Sequence, residues 1–214
     1  MWNYFARFDP LIPTPTINLA GPWLRYDTRI YIDPVSQASN THSPMASIVA
    51  KNPGSAAPLS VASAGTLAPL NIGKDKLLPS VRNAFIAAIH ARNRLGLGPV
   101  KGEYVQVLNL FYVCDPIISQ ALRLVRQFNP ANDPAENLNI DPVWFSWGGN
   151  DPQLNPFKCR FLHNPPNKCI YWDYSTRNTV VALPSVKTSV KHTQGMPLGP
   201  ITNPTFIDEL AKLL

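Results

Sequence analysis

Asn52 follows a short apolar run, Ala46-Ser47-Ile48-Val49-Ala50, and opens the turn Asn52-Pro53-Gly54-Ser55. Pro53 biases Asn52 away from helical angles, and Gly54 admits a sharp turn. A carboxamide is thereby held at the mouth of a strand, where open α/β sheets place their ligands. Such a group can position water; it serves equally well as an ordinary turn residue. A second carboxamide, Asn109, sits inside the apolar segment Val107-Leu108-Asn109-Leu110-Phe111. A buried amide must find partners, either in loop backbone or in a ligand. His192 stands between Lys191 and a glycine-containing loop, a setting that favours exposure and suits a surface histidine as well as a catalytic one. Cys159, His163 and Cys169 are close in sequence but match no standard zinc spacing, so no metal site is expected.

The elements that must position these groups are readable from periodicity. Arg25 to Ile32 alternates as a strand, and Ala46 to Ala50 is the first strong core strand. A loop dominated by small residues runs from Asn52 to about Lys76; a structureless loop of that length usually carries function. Leu78 to Leu95 reads as a helix, with Pro79 in its first turn and Gly96 and Gly98 beyond its end. Tyr104 to Val113 reads as a strand, Asp115 to about Phe128 as a helix, and Val143 to Trp147 as a short buried strand. Further strands are expected near Arg160–Leu162, Cys169–Trp172 and Val180–Leu183, and a closing amphipathic helix over Thr205–Leu214. Strand, helix, strand, helix, strand predicts a three-layer α/β/α sandwich around a central, mainly parallel sheet. Residues 1–45 are expected to form a Pro-rich N-terminal extension packed on a domain spanning 46–214. Right-handed crossovers would bring Asn52, the end of the Tyr104–Val113 strand and Gly148 to one edge.

Composition narrows the class. The 214 residues suffice for one substantial domain. Charged residues are only 15%, while 23 prolines point to long, stiffened loops. A net charge of +6 and a pI near 9.3 suit a polyanion partner without identifying one. Three cysteines argue against a disulfide framework, and neither a signal peptide nor a membrane-spanning run is readable. A cytoplasmic protein that engages no membrane is the expectation.

Four segments taken in order carry a resemblance: Ile48-Val49-Ala50-Lys51-Asn52-Pro53-Gly54, Val107-Leu108-Asn109-Leu110-Phe111, Val143-Trp144-Phe145-Ser146-Trp147-Gly148, and Lys191-His192-Thr193-Gln194-Gly195-Met196-Pro197-Leu198. Together, over about residues 45–200, they resemble the uracil-DNA glycosylase superfamily. There, a first strand ends in a water-activating motif, G-I-N-P-G in the mismatch-specific branch. A second strand carries a base-reading Asn, a third ends in a W-G-like turn, and a late H-P-S-P-like loop supplies a His and a wedge. The chain is also similar to uncharacterised bacterial and phage proteins built on N-P-S-T, N-L-F, W-G and a late His motif.

The resemblance implies a monofunctional DNA glycosylase that extrudes and excises a pyrimidine, with no metal and no other cofactor. Asn52 would hold the attacking water, and His192 would stabilise the departing base. Asn109 would pair with the base edge, with Gly54 and Ser55 beside it and Phe111 or Tyr112 as stacking ring. Lys187 and Lys191 would contact phosphate, while Met196 or Leu198 would enter the vacated stack. The partner would be DNA, single- or double-stranded, with no obligate protein partner.

The chain departs from the family pattern in several places. The first motif has no Asp, Lys51 replaces a small residue, and the last motif reads His-Thr-Gln-Gly. No aromatic follows the first motif until Phe85. Gly54, Ser55, Ala56 and Ala57 stand where the strict uracil branch carries a bulky Tyr, which favours a modified or enlarged base, as in defence against phage DNA. A non-catalytic nucleotide or nucleic-acid binder on the same fold is the alternative.

Overall fold

The segment Pro44–Ala50 is apolar along its length and becomes the strand on which the others are assembled. The structure, a computed structural model, describes residues 1–11, 22–54, 56–59, 64–73, 75–193 and 202–214. The strands are β1 (Trp2–Pro10), β2 (Trp23–Val35), β3 (Pro44–Ala50), β4 (Ala57–Pro58), β5 (Leu67–Asn71), β6 (Tyr104–Asn109), β7 (Val143–Phe145), β8 (Cys169–Asp173) and β9 (Asn178–Val180). The helices are α1 (Leu77–Arg94), α2 (Ile118–Phe128), α3 (Asn155–His163) and α4 (Pro204–Leu213).

All nine strands form one sheet in the order β4-β5-β1-β2-β6-β3-β7-β8-β9. The pairings β6–β3, β3–β7 and β7–β8 are parallel, and the other five are antiparallel. The chain is therefore mixed α/β, but the expectation of a mainly parallel sheet is corrected. The N-terminal region accounts for the difference. Residues 1–45, expected as an extension, supply β1 and β2, which enter the sheet as an antiparallel hairpin alongside β6.

The four parallel strands need crossovers, and these divide between the two faces. The β3-to-β6 connection runs through α1, and the β6-to-β7 connection through α2. Leu78, Val81, Phe85 and Ala88 of α1 share a buried cluster with Ile48, Val107, Trp144 and Phe206 of α4. Ala121, Leu122 and Val125 of α2 are buried with Val49, Leu108 and Phe145 on the opposite side. Burial of one ring such as Phe85 contributes about 1.5–3 kcal/mol. Because α1 follows β3 on one face and α2 follows β6 on the other, the carboxyl ends of these neighbouring strands form the topological switch point of such sheets.

Three local readings differ from expectation. Arg160–Leu162 lies in α3 rather than in a strand: Pro156 suits the first helical turn, and Phe157 and Phe161, four residues apart, pack on one face. The loop after Asn52 contains β4 and β5, held to β1 by Phe5↔Pro69 and Ala6↔Ala68. The strand β1 went unread behind its proline and aromatic composition, although Phe5, Ala6 and Phe8 are buried.

A half-buried ion pair ties the α2–α3 side together. Glu136 takes Arg160 Nε at 2.6 Å and Arg160 Nη2 at 3.1 Å, and Tyr112 donates its hydroxyl to the same carboxylate at 2.6 Å. Arg160 Nη2 also donates to the carbonyl of Leu110 at 3.0 Å, which fixes the chain as it leaves β6. Arg160→Ala is expected to lower stability by about 1–3 kcal/mol, because it leaves a half-buried carboxylate with Tyr112 as its remaining donor. Urea unfolding measures this, with the Glu136→Gln, Arg160→Met double variant recovering part of the loss. An unchanged midpoint for the single variant would rule the clamp out.

A second device shapes β2. Asp27 has φ 44°, and its backbone N–H donates to Asp133 Oδ2 at 2.6 Å. The irregularity switches the alternation of the strand. Leu24 and Tyr26 face the α2 side, whereas Ile30 and Ile32 face α1 together with Trp23. Burial pushes the Asp133 carboxyl up to about 6, against the pull of the N–H groups it accepts. With its folded value above its unfolded one, the folded chain binds the proton more readily. The group therefore adds stability as pH falls through 6, in full below the unfolded value near 3.8. The stability difference between wild type and Asp133→Asn should accordingly grow by about 2–3 kcal/mol from pH 7 to pH 4. Paired denaturation curves across that range test the sign; a flat difference would refute it.

Candidate functional site

The residues that converge do so at the carboxyl ends of β3, β6 and β7. Ala50 is the register partner of Asn109, and Leu110 N–H donates to the Ala50 carbonyl at 3.0 Å. Ser146 N–H donates to the Val49 carbonyl at 2.8 Å, so the Trp147-Gly148 turn starts beside Lys51. Asn52 donates its Nδ2 to the carbonyl of Asp115 at 2.9 Å, linking the turn after β3 to the loop after β6. Gly54 has φ +68°, and no atom lies within 4 Å of where a side chain would begin, so that flank is open.

Asn109 is fully buried, and neither its Oδ1 nor its Nδ2 has a hydrogen-bond partner. Val105 and Val107 face α1 and Leu108 faces α2, so alternation places Asn109 on the α1 face. An amide buried in this state costs about 1–3 kcal/mol unless something completes it.

His192 is held by its neighbours. Lys191 N–H donates to the Trp172 carbonyl at 2.9 Å. Thr193 N–H donates to Ser146 Oγ at 2.8 Å, and the two hydroxyls lie 2.6 Å apart. The segment is thus fastened to β8 on one side and to the end of β7 on the other. Gly148 makes this approach possible: a side-chain carbon there would lie 3.2 Å from His192 Cβ and 3.6 Å from Lys51 Nζ, at φ +73°. Burial, and secondarily the Lys51 charge, hold the His192 imidazole below its ordinary value, while Asp75 opposes them. The ring is neutral at pH 7 and able to donate a hydrogen bond.

The same edge is cationic. Lys158 is fully buried, donates to the Val186 carbonyl at 3.2 Å and lies 5.7 Å over the Trp147 ring. Burial pushes its ammonium down; the Asp151 charge opposes this, and Lys51 adds to it more weakly. Among the described residues, no carboxylate lies within salt-bridge distance of Lys51 or Lys158.

Other expected site residues lie elsewhere. Phe111 and Tyr112, expected as the stacking ring, are core residues on the α2–α3 side. Phe111 packs edge-on against Phe157 at 5.5 Å, and Tyr112 is tilted against Tyr26 at 5.2 Å. The chain turns after Asn109, which sends both rings beneath the sheet. Lys191 has its ammonium 4.1 Å over the Tyr174 ring, and Lys187 is exposed. Ser55, Met196 and Leu198 lie outside the described residues. Cys159 and His163 share α3, where His163 Nδ1 lies 2.7 Å from the Cys159 carbonyl, while Cys169 is on β8. Among the described residues, no group of three His, Cys, Asp or Glu side chains is arranged to hold a metal ion, and no helix is long and apolar enough to cross a membrane.

Two cavities lie away from this edge, and neither is lined by Asn52, Asn109 or His192. One, of about 470 Å³, is bordered by Ser47, Leu108, Glu136, Asp141, Arg160 and Asn167. Its charged groups are mutually satisfied: Glu136 by Arg160 and Tyr112, Asp141 by Asn167. The other, of about 520 Å³, lies beside Arg7, Tyr26, Asp27 and Asp133. The buried, unpartnered carboxamide of Asn109 is at a strand end, away from both cavities.

Sequence reading passed over Lys158, Asp75 and Arg25. Lys158 stands just ahead of Arg160–Leu162, a segment that reads as a strand, so the helix that buries it stayed hidden. Arg25 belongs to an alternating strand whose switch at Asp27 no periodicity reveals.

Lys51→Met should raise the titration midpoint of His192, because it removes the like charge, while leaving it below the ordinary value, because burial persists. NMR titration of the imidazole reads this out; a midpoint that stays or falls would place Lys51 outside the electrostatics of the site.

Compared with known proteins, the chain matches no family model, no curated protein and no solved structure.

Proposed function

We infer that the protein is a monofunctional DNA glycosylase that takes an extruded pyrimidine, modified or enlarged, and hydrolyses its N-glycosidic bond to leave an abasic site. One observation carries the reading. The fully buried, wholly unpartnered carboxamide of Asn109 stands at the end of β6, beside the Asn52 turn and the strand edge that holds His192. A carboxamide offers one donor and one acceptor edge, matching the paired donor and acceptor of a pyrimidine. Extrusion supplies such a base to a site that a stacked duplex could not reach. The parallel quartet β6-β3-β7-β8, with helices on both faces and the groups at its switch point, fits the α/β/α sandwich that the resemblance implies.

In this reading a neutral His192 donates to a base oxygen as negative charge develops there. Lys51 and Lys158 keep the local potential positive, which favours an anionic leaving base. Asn52 orients water through its carbonyl oxygen while its Nδ2 is committed to Asp115. The open flank at Gly54 leaves space for a substituent on the base. In a cell, base repair or defence against phage DNA with enlarged bases would use this activity.

The test is base release from duplex and single-stranded DNA bearing uracil, mismatched thymine, hydroxymethylcytosine or glucosylated hydroxymethylcytosine. At least one substrate should yield alkali-labile breaks, and Asn109→Ala and His192→Ala should each slow cleavage by about a hundredfold or more. Failure to release any base would refute the enzymatic reading. The missing carboxylate beside Asn52 favours a second one, a non-catalytic nucleotide or nucleic-acid binder; salt-dependent DNA binding without base release would support it.

A further inference from the structure

Arg25 is 1% exposed, yet no carboxylate among the described residues lies within salt-bridge distance of it. Its Nε has no hydrogen-bond partner, and its Nη1 reaches the Ala56 carbonyl only at 3.4 Å. A buried guanidinium with no counter-charge is costly, because desolvation of the ion goes uncompensated. Its surroundings offer no remedy. Burial pushes the neighbouring Cys114 thiol up to about 12, so it stays neutral. Asp75 acts on Arg25 only at a distance, because its Oδ1 accepts from Leu77 and Leu78 N–H at 2.7 and 3.2 Å at the start of α1.

The position of Arg25 is as informative as its isolation. Strands β2 and β6 are neighbours, paired through Thr28↔Val107, and Arg25 N–H donates to the Tyr112 carbonyl at 3.0 Å. The switch at Asp27 turns Arg25 to the α1 face, with Trp23 and Thr28 and on the same side as Asn109. Three buried groups with unmade hydrogen bonds thus share one side of two adjacent strands: Arg25 Nε, Thr28 Oγ1 and both side-chain atoms of Asn109. Asp75 lies within electrostatic reach of both Arg25 and His192, which ties this group to the same edge.

We propose that Arg25, with Asn109, forms a subsite for an anionic oxygen group on the ligand, a carboxylate carried by the pyrimidine or a phosphate ester. A guanidinium presents paired donors to two such oxygens, which is the geometry carboxylate and phosphate share. The inference rests on the glycosylase reading in one respect, that the ligand is a pyrimidine; it does not require the bond to be cut.

Calorimetric titration of the intact protein tests it, with uracil, 5-carboxyuracil, uridine and uridine 5′-monophosphate as probes. The wild type should bind 5-carboxyuracil over uracil, or the monophosphate over uridine, by about thirtyfold. The favoured pair tells whether the anion sits on the base or on the sugar. Arg25→Gln should abolish that preference and leave the neutral ligands within about twofold. Asn109→Asp gives a second readout that needs no ligand. It places a carboxylate on Arg25's side of the two paired strands, so it should raise the melting temperature in the wild-type background and not in Arg25→Gln. No anion preference in the wild type, equal loss of all four ligands in Arg25→Gln, or the same melting shift for Asn109→Asp in both backgrounds would overturn the proposal. Anion preference without base release from any DNA would overturn the glycosylase reading and leave this one standing. Base release that Arg25→Gln does not change, with no anion preference, would do the reverse.

Discussion

The parallel pairing of β3 on both of its edges is the constraint from which the site follows. Antiparallel neighbours can be joined by a tight turn, but parallel neighbours need a crossover over one face. β3 has β6 on one side and β7 on the other, and the two crossovers carry α1 and α2 to opposite faces. The segment after Ala50 leaves the sheet at this switch point, where Asn52 bonds to the loop after β6. Asn52, Gly148 and His192 come from distant parts of the chain: Asn52 is set by its side-chain bond to the Asp115 carbonyl, and the other two by bonds of the residues beside them. No one of these groups could be moved without disturbing the sheet that carries the core.

The two polar clusters in the interior differ in kind. Around Glu136, every strong group is answered: two donors from Arg160, one from Tyr112, and the spare guanidinium hydrogens to backbone carbonyls. Such a closed network rigidifies and asks for nothing more. Around Asn109 and Arg25 the hydrogen-bonding capacity stays open, on a face otherwise lined by valine, isoleucine and tryptophan. The first cluster borders a roomy cavity although its groups are already satisfied, so free volume alone is a poor guide to chemistry here. Unfinished hydrogen bonding in a buried place is the better one.

The parts of the fold visible in the sequence were those governed by local periodicity. The helix at 77–94 shows its 3.6-residue pattern in Leu78, Val81, Phe85 and Ala88, and the strand at 44–50 shows an unbroken apolar run bounded by a turn. Asn52, Asn109 and His192 were readable as candidates because a carboxamide in an apolar strand and an Asn-Pro-Gly turn are local signals. The rest depended on long-range pairing. The hairpin of β1 and β2 is antiparallel to the core because of partners 73 to 79 residues away, from Tyr31↔Tyr104 to Thr28↔Val107, which no local pattern encodes. Phe111 and Tyr112 looked like site residues by proximity to Asn109, but the chain turns after β6 and points them into the other half of the core. Arg25 escaped notice for a related reason: a left-handed residue two positions along the strand decides which side it occupies.

The two ends of the sheet bear on how the molecule meets its own kind. A long strand at a sheet margin offers a row of unused N–H and C=O groups to any other chain. Here one margin is β4, two residues long and including Pro58, which has no N–H to give; the other is β9, with three residues. Nine strands are thus laid side by side with almost no template left for a tenth. Among the described residues, the two outermost strands offer little template for growth of the sheet from copy to copy.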